Sequence, residues 1–254
     1  MKAPIQALFA GLALAGPAQA QAETPADAPA PATTLSFNAA LTSDYRYRGI
    51  SQTRLRPALQ GGVDVTHTPT GLYAGAWAST ISWTRDAGGD GDIELDLDAG
   101  KRGELPGSVS YDLGVLRYLY PDNGLGQVRG FASAHTTELY VQLGMGPAYL
   151  KYSQATTNLF GFVDSEDSGY LDLGANFALS DSLGLQVHAG RQRVRGNPAA
   201  DYSDWKIGLT RQYALASVAL AYVGTNAGRA AYASPANGKY LGRDALQLTL
   251  SRSF

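Results

Sequence analysis

The sequence predicts an all-β protein, an antiparallel transmembrane β-barrel of about 12 strands with short turns at one rim and longer loops at the other. Two observations carry this prediction. Apolar and polar residues alternate with a period of two along one segment after another. The connections between these segments alternate without exception between long and short. A soluble sandwich can show the same alternation with its apolar face inward, so the loop asymmetry and an export signal decide for the barrel.

The first segment shows the two faces of a predicted strand. Leu35, Phe37 and Leu41 lie on one face, whereas Ser36 and Asn38 lie on the other. We expect strands at about 34–48, 57–67, 71–84, 92–102, 108–120, 135–144, 147–155, 168–179, 182–194, 203–212, 214–225 and 243–254. Most of them reach the roughly 9 to 11 residues that a tilted strand needs to cross the hydrocarbon.

The connections between these strands are sorted by length. The short ones are 68–70, 103–107, 145–146, 180–181 and the point around Tyr213, and the long ones are 49–56, 85–91, 121–134, 156–167, 195–202 and 226–242. With the amino terminus in the periplasm, every short connection becomes periplasmic and every long one extracellular, which is the arrangement of bacterial outer-membrane barrels.

Three regions follow from composition. Residues 1–20 have the form of a cleaved signal peptide, with Lys2, a short apolar run and the small-residue pattern Ala18-Gln19-Ala20. Residues 21–33 are rich in Ala and Pro, and we expect a flexible lead-in there. Residues 34–254 form the predicted outer-membrane barrel, because no later stretch approaches the roughly 20 apolar residues of a membrane helix.

Composition also excludes several function classes. The chain has no cysteine, which excludes disulfides and thiolate metal sites. Its three histidines are far apart in the sequence and show no metal-ligand spacing, and the formal net charge of -2 is too small to indicate a nucleic-acid partner. We therefore predict no metal, no cofactor and no nucleic acid.

Charged residues mark the predicted lumen. Glu94, Asp96 and Asp98 share one face of a strand, and ionised carboxylates facing lipid would be costly, so this face is predicted to point inward. The candidate lumen residues are Asp44, Arg46, Arg48, Asp64, Glu94, Asp96, Asp98, Asp112, Glu138, Lys151, Asp172 and Lys206. They can set ion selectivity in a pore, or they can pair across strands and fill a small barrel. About 12 strands lie between the eight of a filled barrel and the 16 of a wide channel, so we expect a narrow passage.

Aromatic residues are predicted to form two girdles on the lipid face, as in other membrane barrels. The outer girdle comprises Tyr45, Tyr47, Trp83, Trp205 and Tyr222, and the inner one comprises Tyr73, Tyr111, Tyr213 and Phe254.

A lipid hydrolase is the enzymatic alternative, because such activity needs a Ser/His pair at the outer surface of a barrel. Only His135 is suitably placed, with Ser133 and Ser153 as candidate nucleophiles. Neither a nucleophile elbow nor an acid partner accompanies them, so we predict no catalytic residues.

The run Ser43-Asp44-Tyr45-Arg46-Tyr47-Arg48-Gly49-Ile50-Ser51, followed by Pro57-Ala58-Leu59-Gln60-Gly61-Gly62, closely resembles the TorF-type porin family of bacteria. Weaker similarity extends over nearly all of the mature chain. The chain departs from that family's pattern at Thr80 and at Asp98, and the second change adds a lumenal charge. The resemblance implies an outer-membrane pore, but it does not name a solute.

The sequence thus favours a porin-like channel for passive diffusion of small hydrophilic solutes or ions. The expected partners are outer-membrane lipid, the transported solute and the barrel-assembly machinery, which recognises carboxyl-terminal strands that end like Leu246, Leu248, Leu250 and Phe254. Two alternatives stay open at this point. One is a barrel with a blocked lumen that acts as a structural or surface-contact protein, and the other is the lipid hydrolase.

Overall fold

The computed structural model describes residues 32–254, so the predicted signal peptide and almost all of the predicted lead-in lie outside the described residues. The predicted closed, antiparallel barrel of 12 strands is confirmed. The strands are β1 (Thr33–Thr42), β2 (Arg46–Tyr47), β3 (Ile50–Ser51), β4 (Ala58–His67), β5 (Leu72–Thr80), β6 (Ile93–Leu105), β7 (Val109–Leu119), β8 (Thr136–Met145), β9 (Ala148–Ala155), β10 (Gly169–Ser180), β11 (Leu183–Arg193), β12 (Tyr202–Gln212), β13 (Ser217–Thr225) and β14 (Ala245–Ser253). All except β2 and β3, which form a separate hairpin, belong to the barrel.

The barrel closes where β1 pairs with both β4 and β14. On this seam Leu41 lies opposite Leu59 on one side and Leu250 on the other. The amide of Phe254 donates to the carbonyl of Phe37 at 2.9 Å, which extends the ladder to the last residue. Because every barrel strand is paired on both sides, the barrel sheet has no free edge within residues 32–254.

The connections sort by length between the two rims, as the sequence predicts. The turns at 68–71, 106–108, 146–147, 181–182 and 213–216 lie at one end, which we call the turn rim. The loops L1 (43–57), L2 (81–92), L3 (120–135), L4 (156–168), L5 (194–201) and L6 (226–244) lie at the other, the loop rim. L2 and L6 contain the short helices α1 (Trp83–Asp86) and α2 (Arg229–Tyr232), and three-residue 3₁₀ turns occur in L3 and L5. Within residues 32–254 there is no helix with the length and hydropathy that crossing a membrane requires.

The outer and inner faces of the barrel differ as the period-two pattern predicts. On β6, Ile93 and Leu97 are exposed on the outer face. Glu94 and Asp96, which lie between them in sequence, are buried inside the barrel. The same apolar exposure continues around the barrel at residues such as Leu139, Leu173, Ile207, Leu220 and Leu248. An exposed apolar belt of this kind requires a nonaqueous neighbour, and lipid supplies one.

Two predicted strands extend past the observed ends, one by six residues and the other by four. The segment predicted at 34–48 ends at Thr42, and residues 43–57 turn away from the sheet as L1. The segment predicted at 71–84 ends at Thr80, before helix α1. In L1 the backbone φ is +47° at Arg48 and +80° at Gly49, which closes the β2–β3 hairpin in the manner of a type I′ turn.

The aromatic girdles are only partly correct. Trp205 and Tyr222 are exposed near the loop rim, and Tyr213 and Phe254 near the turn rim. Tyr111 has the same parity as the exposed Leu113. The other four aromatic residues lie inside the molecule: Tyr45, Tyr47, Trp83 and Tyr73. Tyr45 packs edge-on against Trp77 at 5.4 Å, and Tyr73 points inward and donates to Asp112 at 2.5 Å. Tyr45, Tyr47 and Trp83 belong to loops that fold inward, where strand parity no longer applies.

Candidate functional site: the barrel interior

The inner face of the barrel carries most of the ionisable side chains that the sequence singles out. The predicted residues on inward-facing strand positions are Asp64, Glu94, Asp96, Asp98, Asp112, Glu138, Lys151, Asp172 and Lys206. The structure brings Arg102, His188, Asp204 and Gln192 onto the same surface. Asp204 and Gln192 were not singled out by the sequence, although their parity within β12 and β11 points the same way.

The remaining predicted residues, Asp44, Arg46 and Arg48, do not lie on a barrel strand. They belong to L1, which folds inward across the lumen. The Arg48 guanidinium donates from Nη1 and Nη2 to the two carboxylate oxygens of Glu138 on β8, at 2.9 and 2.7 Å. It also donates to Gln192 Oε1 on β11 at 2.8 Å and lies 4.1 Å from the ring centre of Tyr170 on β10. Because β10 is five strands from β1 and six from β4, L1 spans the full width of the barrel.

A network of charged hydrogen bonds fixes the base of L1. Asp44 accepts from Arg46 Nε at 2.7 Å and from Ser51 Oγ at 2.5 Å. The Arg46 guanidinium in turn donates to the carbonyls of Gly49 and Arg243, at 3.0 and 2.7 Å. Such charge-assisted bonds between buried groups are short and strongly directional, so they hold the hairpin in one conformation.

Close packing completes the anchoring of the hairpin tip. A Cβ on Gly49 would lie 2.3 Å from Thr225 Cγ2, so only glycine fits against the wall at this point. Ile50 packs with Tyr202, Leu241 and Ala227. On the opposite side, Tyr47 contacts Tyr118 and Phe160 edge-on, each at 5.5 Å between ring centres. L1 therefore touches strands all around the barrel.

The interior divides into two parts that differ in solvent contact. In the loop-side half, where L1 lies, the side chains of the wall are almost fully buried: Glu94 is 1% exposed, Asp96 0%, Glu138 2% and Asp204 1%. The middle and the turn-side half instead carry partly exposed charges, namely Asp64, Asp98, Arg102, Lys151, Asp172, His188 and Lys206. Asp112 is an exception, since it is buried beneath Tyr73. The lumen is thus a charged vestibule open toward the turn rim and filled near the loop rim.

His188 connects three strands in the middle of the wall. Its Nδ1 lies 2.8 Å from Asp172 Oδ1, and its Nε2 lies 2.9 Å from Asp204 Oδ2. Tyr170 donates to the other oxygen of Asp204 at 2.9 Å. The imidazole thus lies between two carboxylates, one on each neighbouring strand. The arrangement connects β10, β11 and β12. Both ring nitrogens of His188 are engaged by carboxylates, so neither is free to act as a nucleophile.

Two carboxyl groups beneath L1 are incompletely satisfied. Glu94 Oε1 accepts from the Tyr45 hydroxyl at 3.0 Å, but its Oε2 has no hydrogen-bond partner among the described residues. Neither carboxyl oxygen of Asp96 has one either. An ionised carboxylate without a partner is costly in a buried position, so these groups require a proton or a cation while L1 covers them.

The residues considered for lipid hydrolysis do not form a catalytic arrangement. His135 Nδ1 accepts from the backbone amide of Tyr120 at 3.1 Å, and the two rings stack. Burial and the nearby Arg117 lower the pKa of His135. Ser133 Oγ accepts from the His135 amide, whereas Ser153 is buried on the inner face of β9. Among residues 32–254 there is also no cluster of three or more His, Asp or Glu side chains that could hold a metal ion.

Comparison with known proteins agrees with this architecture. Residues 26–254 match the model of a family described as a bacterial protein of unknown function, Gcw_chp. The chain belongs to this family. No curated protein matches the sequence. The family description does not carry the TorF-type label, so that likeness stays a resemblance.

Solved structures of two porins share the fold of this Gcw_chp family member. The KdgM porin, solved in complex with a disordered oligogalacturonate, superposes with a TM-score of 0.51 at 4% identity, covering 87% of this chain and 98% of the porin. The NanC porin superposes with a TM-score of 0.51 at 9% identity, covering 86% and 98%. At such low identity the similarity establishes the barrel fold alone.

Proposed function

We propose that this protein is a porin-like channel of the bacterial outer membrane, which lets small hydrophilic solutes or ions diffuse through a narrow, charged lumen. The observation that carries the proposal is the contrast between an exposed apolar outer belt and a charged, solvent-reached inner face. The TorF-type resemblance and the shared fold with KdgM and NanC support it. KdgM has been solved in complex with an oligogalacturonate, so a barrel of this fold can bind a hydrophilic molecule.

The constriction of the proposed channel is the L1 hairpin. Passage requires L1 to shift, or requires a narrow path beside it, because Arg48 is bonded to both Glu138 and Gln192. The solute is therefore small or the channel opens only part of the time. Polar side chains in the vestibule suit water-soluble molecules, since apolar compounds would gain no contacts there.

A blocked barrel that serves as a structural or surface-contact protein is the second candidate. The filled loop-side half favours it. The lipid hydrolase has less support, because His135 Nδ1 is already engaged by a backbone amide.

Single-channel recording of the refolded protein in a planar bilayer separates the two leading candidates. We expect discrete conductance steps from the wild type and larger steps when residues 46–51 are replaced by two glycines. The matched control removes residues 235–238, an exposed stretch of L6 on the same rim. A silent wild type together with a conducting L1 variant would favour the blocked barrel, and two silent proteins would contradict the channel altogether.

Location and biogenesis are part of the proposal. We expect the mature chain to fractionate with the outer membrane and to begin at Gln21 or Glu23, and we expect its last strand to be recognised by the barrel-assembly machinery. Leu246, Leu248 and Phe254 face outward on that strand, as such a signal requires. Recovery of folded protein in the soluble periplasmic fraction would contradict the location.

A further inference from the structure

A small cavity lies on the outside of the barrel at the loop rim, between L1 and L2. Its volume is about 190 Å³, and three of the residues that line it are Arg54, Arg56 and Arg85. It is separate from the lumen, because the neighbouring Leu59 and Thr80 have outward parity and Leu59 is 65% exposed. A cavity with three guanidinium groups next to the apolar belt is a candidate anion site.

The arginines of this cavity differ in how far their charge is already neutralised. Arg54 Nε donates to the buried Asp86 at 2.6 Å, so Arg54 is largely balanced. Arg85 reaches the exposed Asp92 only at 3.7 Å, a contact that water screens strongly. Arg56 is exposed and makes no ion pair with any residue from 32 to 254. Two positive charges are therefore available to an anion.

The backbone of L1 is bent to bring these arginines to the cavity. Arg54 and Leu55 have φ of +55° and +64°, a left-handed conformation that residues with a Cβ seldom adopt. The turn is closed by the Arg56 amide, which donates to the Thr53 carbonyl at 3.2 Å, and by Thr53 Oγ1, which donates to the Arg56 carbonyl at 2.6 Å. Residues in such conformations cluster at functional sites, where surrounding contacts hold them in place.

A buried hydroxyl gives an independent indication of a ligand. Ser82 lines the cavity, and its Oγ is buried without a hydrogen-bond partner among the described residues. Such groups nearly always have a hydrogen-bond partner in folded proteins, so a partner is expected beside it. A phosphoryl group supplies several acceptor oxygens and negative charge, and it matches the planar fork of arginine.

We propose that this cavity binds a phosphoryl anion, held by Arg56, Arg85 and the Ser82 hydroxyl. The position at the edge of the apolar belt corresponds to the headgroup level of the outer leaflet, so a phosphate-bearing lipid is one source and free phosphate the other. The lipid source rests on the outer-membrane location proposed above. It does not depend on whether the lumen conducts.

Native mass spectrometry of the refolded protein in a non-ionic detergent tests the site. The probes are phosphatidic acid, diacylglycerol with the same acyl chains, and inorganic phosphate. We expect phosphatidic acid to bind and diacylglycerol not to bind. Displacement of the lipid by millimolar inorganic phosphate would identify a site for the free anion, and resistance to displacement would identify a lipid site. Binding of neither phosphatidic acid nor inorganic phosphate would overturn the proposal.

The variants Arg56→Gln and Arg85→Gln show whether binding occurs in this cavity. Each should weaken binding about tenfold, because each removes a charge-assisted hydrogen bond. Arg129→Gln is the matched control, an exposed arginine on L3 of the same rim. Heat-modifiable gel mobility verifies that all variants fold. Unchanged affinity in the double variant, or an equal loss in Arg129→Gln, would contradict the site. Conductance should be the same in every variant. A failure of the channel function is therefore distinguishable from a failure of the proposed anion site.

Discussion

The loop-side and turn-side halves of this barrel are built from the same strands with the same inward parity, yet they differ in character. Near the loop rim Glu94, Asp96 and Glu138 are buried beneath L1, whereas nearer the turn rim Asp64 and Lys151 retain contact with solvent. The presence of charge on the strands does not cause the difference, because inward-facing carboxylates such as Glu94 and Asp64 line both halves. A single inserted loop converts one half of a polar lumen into a packed core.

Buried and solvent-exposed charges are stabilised differently in the two halves. Under L1 the Arg48 guanidinium has two carboxylate oxygens and one amide oxygen as partners, as a buried charge requires. In the open half water can satisfy a charge, so strict pairing is unnecessary. Removing one member of a buried charge pair should therefore have a large effect in the first half, and removing a charge from the second half should have a small one.

Glu138→Ala should give the largest effect. It leaves Arg48 buried without its carboxylate, which costs about 3–5 kcal/mol and should release L1 from the wall. Trypsin would then cleave the folded protein at the arginines of L1, and single-channel conductance would rise. The control is Asp64→Ala in the turn-side half. This variant should change neither trypsin cleavage within L1 nor single-channel conductance. Equal protection of L1 in both variants would mean that the Arg48 contact is not what holds the loop.

Leu95→Arg should destabilise the whole barrel, because its parity directs the side chain into hydrocarbon. Leu95 is the third residue of β6 and lies toward the loop rim, so the cost should be lower than the roughly 2–4 kcal/mol of a charge at the bilayer midplane. Asp96→Asn, one position away, should not destabilise, since Asp96 has no hydrogen-bond partner to lose among the described residues. Urea titration of heat-modifiable gel mobility measures both. Similar losses in the two variants would indicate that β6 is shifted by one residue.

Gly49→Ala should loosen L1 without affecting the barrel. Its Cβ would collide with Thr225, and the left-handed backbone adds strain, for about 1–3 kcal/mol in all. Gly238→Ala is a matched control, because Gly238 has a φ of +67° but no atom within 4 Å of a Cβ position. The rate of trypsin cleavage within L1 reports the difference. If both variants behave alike, packing of the hairpin tip does not keep L1 in the lumen.

The smallest effect concerns ion selectivity. We expect a weak cation preference that fades as salt rises, because salt screens fixed charges over about 10 Å at 0.1 M. Asp98→Asn should shift the reversal potential measured across a salt gradient, since Asp98 is partly exposed in the vestibule. Asp96→Asn should shift it less, because L1 covers that carboxyl. An anion-selective wild type would show that Arg48, Lys151 and Lys206 dominate the field instead.

Much of the barrel architecture can be predicted from the sequence, because the patterns that specify it are local. The alternation of Ile93 to Asp98 assigns each side chain to a face without reference to any other strand, and in the structure Ile93 and Leu97 are exposed whereas Glu94 and Asp96 are buried. The lengths of the connections likewise assign the rims. A strand that contacts lipid on one side and water on the other must alternate, so its pattern records the environment directly.

The position of Tyr45 to Arg48 could not be predicted from local alternation. This segment continues the alternation of β1, and its local pattern fits a strand that extends to residue 48. The structure turns it inward because Arg48 finds Glu138 and Gln192, which are 90 and 144 residues away in sequence. The sequence by itself determines that inward and outward side chains alternate along the strands of this barrel. Only the tertiary structure decides that a loop fills half of the barrel interior, because the contacts responsible join residues that no local period can relate.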